Sequence, residues 1–309
     1  MTYRVTVQHS LVYEFLVSFK AYTDRASHKA LDLGQAWVRE VGRRLPEGFG
    51  EMASKAAKAL PPSELTKVCP AGDDPLGLIE WLAGMPVGEL YELIVPLVDD
   101  PAHIPPDLGS ARDRFVQAGR VWHETYFSSL DPRIPAGLAR NAEATAIFAR
   151  EHLPAEAVEA ITRGIVLDAG PHIADVILIP QYHFRPYNLF DWTPRQCVIG
   201  YAADVLPPAP GAAPPDLRNL IRALDDDSRL QILRFLAGGV RSFTDVVKFA
   251  GLAKSTVHHH MVTLRSSGLI RVHVRPEGAD RYSLRPEAID HISPRLYAFL
   301  KEEQPHAGL

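Results

Sequence analysis

The sequence predicts a mainly α-helical protein with a small β component, an α+β chain in two parts. Three observations carry this. The first ~160 residues repeat apolar side chains at helical spacing between capping and proline signals. After Gly164 the pattern changes to short β-branched runs. Leu206 to Pro215 then places five prolines in ten residues, an extended and semi-rigid linker, before a last third of different charge. The expected parts are a helical N-terminal domain with a small antiparallel sheet over residues 1–205, a linker at 206–215, a compact module at 216–285 and a closing helix with a tail at 286–309.

Taken in order, Tyr3-Arg4-Val5-Thr6-Val7 alternates like a short strand. Ser10 is placed to cap a helix through Leu11, Phe15, Leu16 and Phe19, and Ser27 to cap another carrying Leu31, Leu33, Trp37, Val38 and Val41. Pro46-Glu47-Gly48 breaks the latter. A short helix runs from Met52 to Leu60 and stops at Pro61-Pro62. Asp74-Pro75 pairs a cap with a first-turn proline ahead of Leu76, Ile79, Trp81 and Leu82. Further helices are predicted from Val87 to Leu97, from Asp107 to Leu130, from Pro135 to His152 and after Pro154, with a rigid loop at Pro101, Pro105 and Pro106 between the first two. Residues 165–167, 175–179, 182–184 and 196–201 read as strands, with Pro180 and Pro186 favouring edges or bulges.

Composition narrows the classes. A chain of 309 residues with 46% hydrophobic side chains suits two domains with real cores. Two cysteines, Cys69 and Cys197, give no disulfide framework and point to a reducing, cytoplasmic setting. No apolar run reaches the length of a membrane span, and the N-terminus has no signal-peptide pattern. The net charge of −4 is unevenly spread. Residues 216–285 hold twelve Lys/Arg and seven Asp/Glu, whereas the remainder holds 21 basic and 30 acidic residues. A basic module on an acidic body suits a nucleic-acid reader with a separate regulatory part.

The module itself is more specific. Ser228 to Leu236 forms an amphipathic helix with Leu230, Leu233 and Leu236 inward. Val246, Val247 and Ala250 repeat at helical spacing, and Gly251 lets the chain turn out of that helix. Val257, Met261 and Leu264 line one face of a second helix, with Leu252 filling the space beneath the turn. Two helices joined by a short glycine turn are a helix-turn-helix. Gly268 ends the second helix. Leu269 to Val274 and Arg281 to Leu284 then form a hairpin around the turn at 275–280, which makes the module winged.

Three phrases of this stretch, Leu224-Asp225-Asp226-Asp227-Ser228-Arg229-Leu230-Gln231-Ile232-Leu233, Ser255-Thr256-Val257-His258-His259-His260-Met261 and Leu264-Arg265-Ser266-Ser267-Gly268-Leu269-Ile270, resemble the ArsR/SmtB family of bacterial transcription regulators. The resemblance covers the last third of the chain. It implies a winged helix-turn-helix repressor that binds double-stranded DNA as a homodimer, on an imperfect palindromic operator, with its terminal helices at the dimer interface.

A recognition helix reads base edges through exposed side chains on its first turns. Lys254, Ser255, Thr256, His258, His259 and Arg265 are the outward candidates, with Arg275 and Arg281, and less favourably Arg271, on the wing. Family members often carry Ser and Arg where this chain has His258 and His259, and a capping Ser where it has Ala253. Leu296, Phe299 and Leu300 form an apolar stripe on a helix restarted by Ser293-Pro294, a dimerisation element. The large N-terminal domain suggests a small-molecule effector or a role in dimerisation, with Tyr182, Phe184, Tyr187, Phe190 and Trp192 as lining candidates against a core reading. No cofactor is expected.

Two rival readings are weaker. Metal sensing needs converging ligands, but adjacent helical residues such as His258, His259 and His260 point about 100° apart. The helix at 242–250 lacks Cys, Asp290 and His291 are adjacent, and His306 lies in the tail. An enzyme in the N-terminal domain would need a constellation that the sequence does not offer. His123-Glu124 lacks a second His, no phosphate loop or nucleophile elbow occurs, and His172, His183, Asp168 and Asp175 are more economically structural.

Overall fold

The computed structural model describes all residues except 1–2, 69–71, 98–103, 169, 171, 209–210, 276–277 and 302–309. The described chain is α+β, with helices predominating. It divides into two compact units. One comprises Thr6–Ile147 and Ile173–Val205. The other comprises Met1–Val5, Phe148–His172 and Leu206–Leu309. A single boundary at 205/206 therefore does not describe the chain: Phe148–His172 packs with the C-terminal module.

The larger unit begins with strand β1 (Arg4–Val7), which the division crosses, and continues with helices α1 (Leu11–Thr23), α2 (Gly34–Gly42), α3 (Phe49–Ala59), α4 (Pro62–Val68), α5 (Pro75–Gly84), α6 (Val87–Ile94), α7 (Leu108–Thr125) and α8 (Arg133–Glu151), whose last residues from Phe148 on belong to the smaller unit. Sequence signals locate most of them. Ser10 and Asp74 accept hydrogen bonds from the Tyr13 and Gly77 amides as helix caps, and Asp107 does the same for Ser110. The helix expected from Ser27 does not form. Its hydroxyl turns back to Asp24 Oδ2 at 2.7 Å, and Gly34 takes a left-handed φ of 62°, so regular helix starts only there. The helix expected to stop at Pro61-Pro62 ends at Ala59, and Pro62 then opens α4, where its missing N–H costs nothing.

Phe15 and Phe19 of α1 meet Phe115 and Trp122 of α7 in the centre of this unit, all at most 1% exposed. Phe19 meets both Phe115 and Trp122 edge-on. Trp122 Nε1 donates to Ser18 Oγ at 3.0 Å, so the indole is buried with its polar atom satisfied.

A four-stranded sheet, ordered β1-β3-β5-β4, accompanies these helices through β3 (Asp175–Gln181), β4 (Leu189–Trp192) and β5 (Gln196–Ala202). It is mixed, not antiparallel. β3 and β5 run parallel from Asp175↔Gln196 to Gln181↔Ala202, and β4 is antiparallel to β5. Residues 182–184 form a turn instead of a strand. Pro180 lies within β3, which has neighbours on both sides, contrary to its expected edge position. The β1 side makes its last bond from Gln8 N–H to Leu178 O, so at Pro180 only β5 runs alongside.

The smaller unit contains α9 (Pro154–Ile161), β2 (Ile165–Leu167), α10 (Pro215–Leu224), α11 (Asp227–Ala237), β6 (Arg241–Ser242), α12 (Phe243–Ala250), α13 (Lys254–Ser266), β7 (Ile270–Val274), β8 (Arg281–Leu284), α14 (Pro286–Asp290) and α15 (Ile292–Lys301). Its sheet is ordered β2-β7-β8-β6. β2 pairs parallel with β7, Ile165 opposite Val272 and Leu167 opposite Val274. The expectation that 165–167 belongs to the N-terminal sheet is thus corrected. Pro215 is the first residue of α10 and not part of the linker, where the sequence places it.

Candidate nucleic-acid interface

The helix-turn-helix is set by local chemistry. Ser242 Oγ accepts from Asp245 N, and Asp245 Oδ2 accepts from Ser242 N at 3.0 Å, a reciprocal cap that starts α12. These bonds hold the Asp245 carboxyl below its usual range. Gly251 ends α12 at φ 63°, donating its amide to Val247 O. Ala253 starts α13 without a side-chain bond, as its residue type dictates.

Val257, Met261 and Leu264 are buried against Val246, Ile232 and Leu236. Two inward expectations fail. Leu230 is 44% exposed and its neighbour Ile232 fills the core, because the buried stripe of α11 runs through 232, 233 and 236. Leu252 is 37% exposed, so the turn is closed without it.

With α13 seated in this way, Lys254, Ser255, Thr256, His258 and His259 are all exposed. The His258 ring stands edge-on to Phe243 at 6.2 Å. His260 points inward, 7% exposed, with Nδ1 3.9 Å from Asp226 Oδ1. The three histidines therefore diverge, and among the described residues no group of three His, Cys, Asp or Glu side chains could hold a metal ion. Asp290 and His291 are exposed at the end of α14, and His306 lies outside the described residues. Arg265, half-buried, faces Asp280, whose carboxyl is raised by burial and lowered by this guanidinium.

The wing hairpin pairs Ile270 with Leu284 and His273 with Arg281. Arg281 is exposed. Arg275 is exposed too, with its Nε 3.2 Å from Asp168 beside β2. Residues 276–277 of the turn lie outside the described residues. Arg271 is not a free wing cation: it is clamped by Glu159 at 2.6 Å and Glu287 at 2.8 Å and donates to Leu284 O. Nearby, burial lowers the pKa of His273, with Arg271 adding to the effect.

On α15, Leu296 and Leu300 are 38% and 65% exposed, and Phe299 is half-buried. Arg295 Nη1 lies 3.6 Å from Asp216 of α10, and Ile221 of α10 is itself exposed.

In the larger unit, Tyr182 and Phe184 are buried, whereas Phe190 and Trp192 line a cavity. His183 is fully buried. Its Nδ1 meets Glu14 Oε1 at 2.5 Å, and its Nε2 meets Tyr126 Oη at 2.6 Å. The Tyr182 and His183 amides also donate to Glu14, and Trp37 Nε1 donates to the Tyr126 hydroxyl. All these groups are mutually satisfied, a structural network. His123 packs near Phe15 and Phe127.

Residues 226–272 match the family model described as bacterial regulatory protein, arsR family. No curated protein matches the chain. Among solved structures, it is similar to HlyU from Vibrio cholerae N16961, with 27% identity over 27% of this chain and 92% of that one, TM-score 0.22. It is similar to the homodimeric winged helix-turn-helix DNA-binding domain from Mycobacterium bovis, with 23% identity over 30% and 88%, TM-score 0.23. It is also similar to the transcriptional repressor BigR from Xylella fastidiosa, with 21% identity over 28% and 89%, TM-score 0.22. Residues 226–272 are an ArsR-type helix-turn-helix, a DNA-binding module of transcriptional regulators.

Proposed function

We propose that this protein is a homodimeric, sequence-specific transcriptional repressor. α13 enters the major groove with Lys254, Ser255, Thr256, His258 and His259, and Arg265 follows one or two turns on. Arg275 and Arg281 of the wing hold phosphates. The observation that carries this reading is the division of α13: one face is locked into the core by Val257, Met261 and Leu264, and the opposite face presents five polar side chains to solvent.

Phosphate contacts give affinity and salt dependence, and base contacts give preference. A dimer through α15 and α10 relates two recognition helices by a two-fold axis, so the operator is an imperfect palindrome. Leu296 and Leu300 support it, because apolar side chains this exposed on one helix are costly without a partner. The N-terminal unit, acidic and with its own core, sets operator affinity by binding a small molecule. A coupling of about 1–3 kcal/mol changes affinity roughly 5–150-fold.

The test is a mobility shift of the full chain against genomic fragments, including the one upstream of its own gene. Tight binding to few fragments is expected at moderate salt. Equal affinity for all would refute sequence-specific reading.

A further inference from the structure

A cavity of about 520 Å³ opens in the larger unit along β4, the edge strand of its sheet. That volume suits a small organic molecule. Its walls are apolar, formed by Leu60, Ile94, Leu97, Ile104, Phe190 and Trp192. Its polar groups are few: Ser63, Glu64, Lys67 and Asp191.

The charges are not balanced. Lys67 Nζ is committed to Glu64 Oε2 at 3.0 Å and to Leu97 O at 3.4 Å. Asp191 is 5% exposed. Among the described residues Thr66 Oγ1 alone donates to its carboxyl, at 2.9 Å. The lining thus holds one internally paired cation and one carboxyl without an ion-pair partner, while Lys20 of α1 acts on that carboxyl from outside the lining.

A buried carboxylate with a single donor is poorly compensated. A ligand ammonium supplies both the missing charge and further donors. The aliphatic wall of Leu60, Ile94, Leu97 and Ile104 takes an apolar body. An anionic ligand would meet a second negative charge with Lys67 already engaged. A neutral one would leave the carboxylate as it is.

We infer that this cavity binds an organic ammonium ion with an aromatic or branched apolar body, its cation held by Asp191. Burial pushes the Asp191 carboxyl up to about 6, with Glu64 adding to the rise and Thr66, Lys67 and Lys20 opposing it, so at pH 7.5 it is mostly ionised and open to such a partner. The inference rests on the reading of the N-terminal unit as a small-molecule sensor, and supplies its ligand class.

The experiment is calorimetric titration of the full chain at pH 7.5 with 2-phenylethylamine, tryptamine and cyclohexylmethylamine, alongside 2-phenylethanol and 3-phenylpropanoate. At least one amine should bind saturably, once per chain, tenfold or more tighter than the alcohol, with the propanoate weaker still. Asp191→Asn should bring that amine to the level of the alcohol. No binding by any amine would overturn the proposal, as would propanoate or alcohol binding equally well. The comparison within unmodified protein stands even if Asp191→Asn fails to fold. Mobility shifts on the same samples separate the two readings. Amine binding without DNA binding sinks the regulator and keeps the site, whereas DNA binding without amine binding sinks the site alone.

Discussion

Arg271 on β7 and Glu159 on α9 share a hydrogen bond of 2.6 Å, and a second carboxylate, Glu287, holds the other edge of the same guanidinium. The pair ties Phe148–His172 to the wing. Arg271→Ala should therefore destabilise the smaller unit by about 1 kcal/mol, since the part-buried Glu159 loses its nearest partner and the exposed Glu287 contributes little. Its salt dependence of DNA binding should match that of the parent protein. Calorimetric melting and mobility shifts check the two halves, and an unchanged melting profile with a flattened salt slope would return Arg271 to the phosphate-contacting set.

Arg275→Ala and Arg281→Ala should each weaken binding to every DNA sequence and flatten the salt dependence by about one counterion. Asp168→Asn should act the other way for Arg275, raising affinity modestly by freeing a wing cation that it now pairs. His258→Ala should instead relax preference at one base pair. Binding isotherms at several salt concentrations distinguish these outcomes. Identical behaviour of the wing and helix variants would reject the division of roles.

Leu296→Asp combined with Leu300→Asp should produce monomers by light scattering, because a charge at each position blocks burial of the stripe. Operator affinity should fall with dimerisation, while the fold, read by circular dichroism, is kept. A fully dimeric double variant would place the interface elsewhere.

All four tryptophans, Trp37, Trp81, Trp122 and Trp192, lie in the larger unit, so their fluorescence reports its unfolding. Asp191 makes that unfolding pH-dependent in a predictable direction. Its carboxyl titrates at about 6 when folded, against about 3.9 when unfolded. Between those values the folded state binds the extra proton, so stability falls as pH rises through 6. The loss is roughly 3 kcal/mol between pH 4 and 7.5. The groups facing this carboxyl are Thr66, Glu64 and Lys67 from α4, Lys20 and Tyr13 from α1, and Cys197 from β5. Asp191→Asn should flatten the profile and stabilise the unit at pH 7.5. Parallel profiles for the two proteins would show that the carboxyl is solvated.

The helix-turn-helix was legible because its signals are local. Apolar residues at 246, 247 and 250, the turn at Gly251 and apolar residues at 257, 261 and 264 fix one helix pair within about twenty residues. Helix types in the N-terminal region were legible for the same reason. Long-range pairings were not. Nothing in the Ile165-Val166-Leu167 triplet says that its partner is β7 rather than β3 or β5, since all are β-branched runs of similar composition. The proposed cavity is drawn from residues around 60–67, Ile94, Leu97, Ile104, Pro105 and 190–192, with no spacing to connect them. Leu230 misled because α11 offers leucines on two faces, and only packing chooses between them.

The parallel pairing of β2 with β7 has a consequence for how the chain is made. Ile165 leaves the ribosome about a hundred residues ahead of its partner Val272, so at roughly 5–20 residues per second the strand waits roughly 5–20 s for its neighbour. During that interval Ile165 and Leu167, buried in the finished protein, have no sheet to join. Slow translation should prolong this exposure and chaperone supply should matter most then. A gene fragment beginning at Asp216 removes the wait but delivers a wing whose β7 edge is bare, open to pairing between molecules.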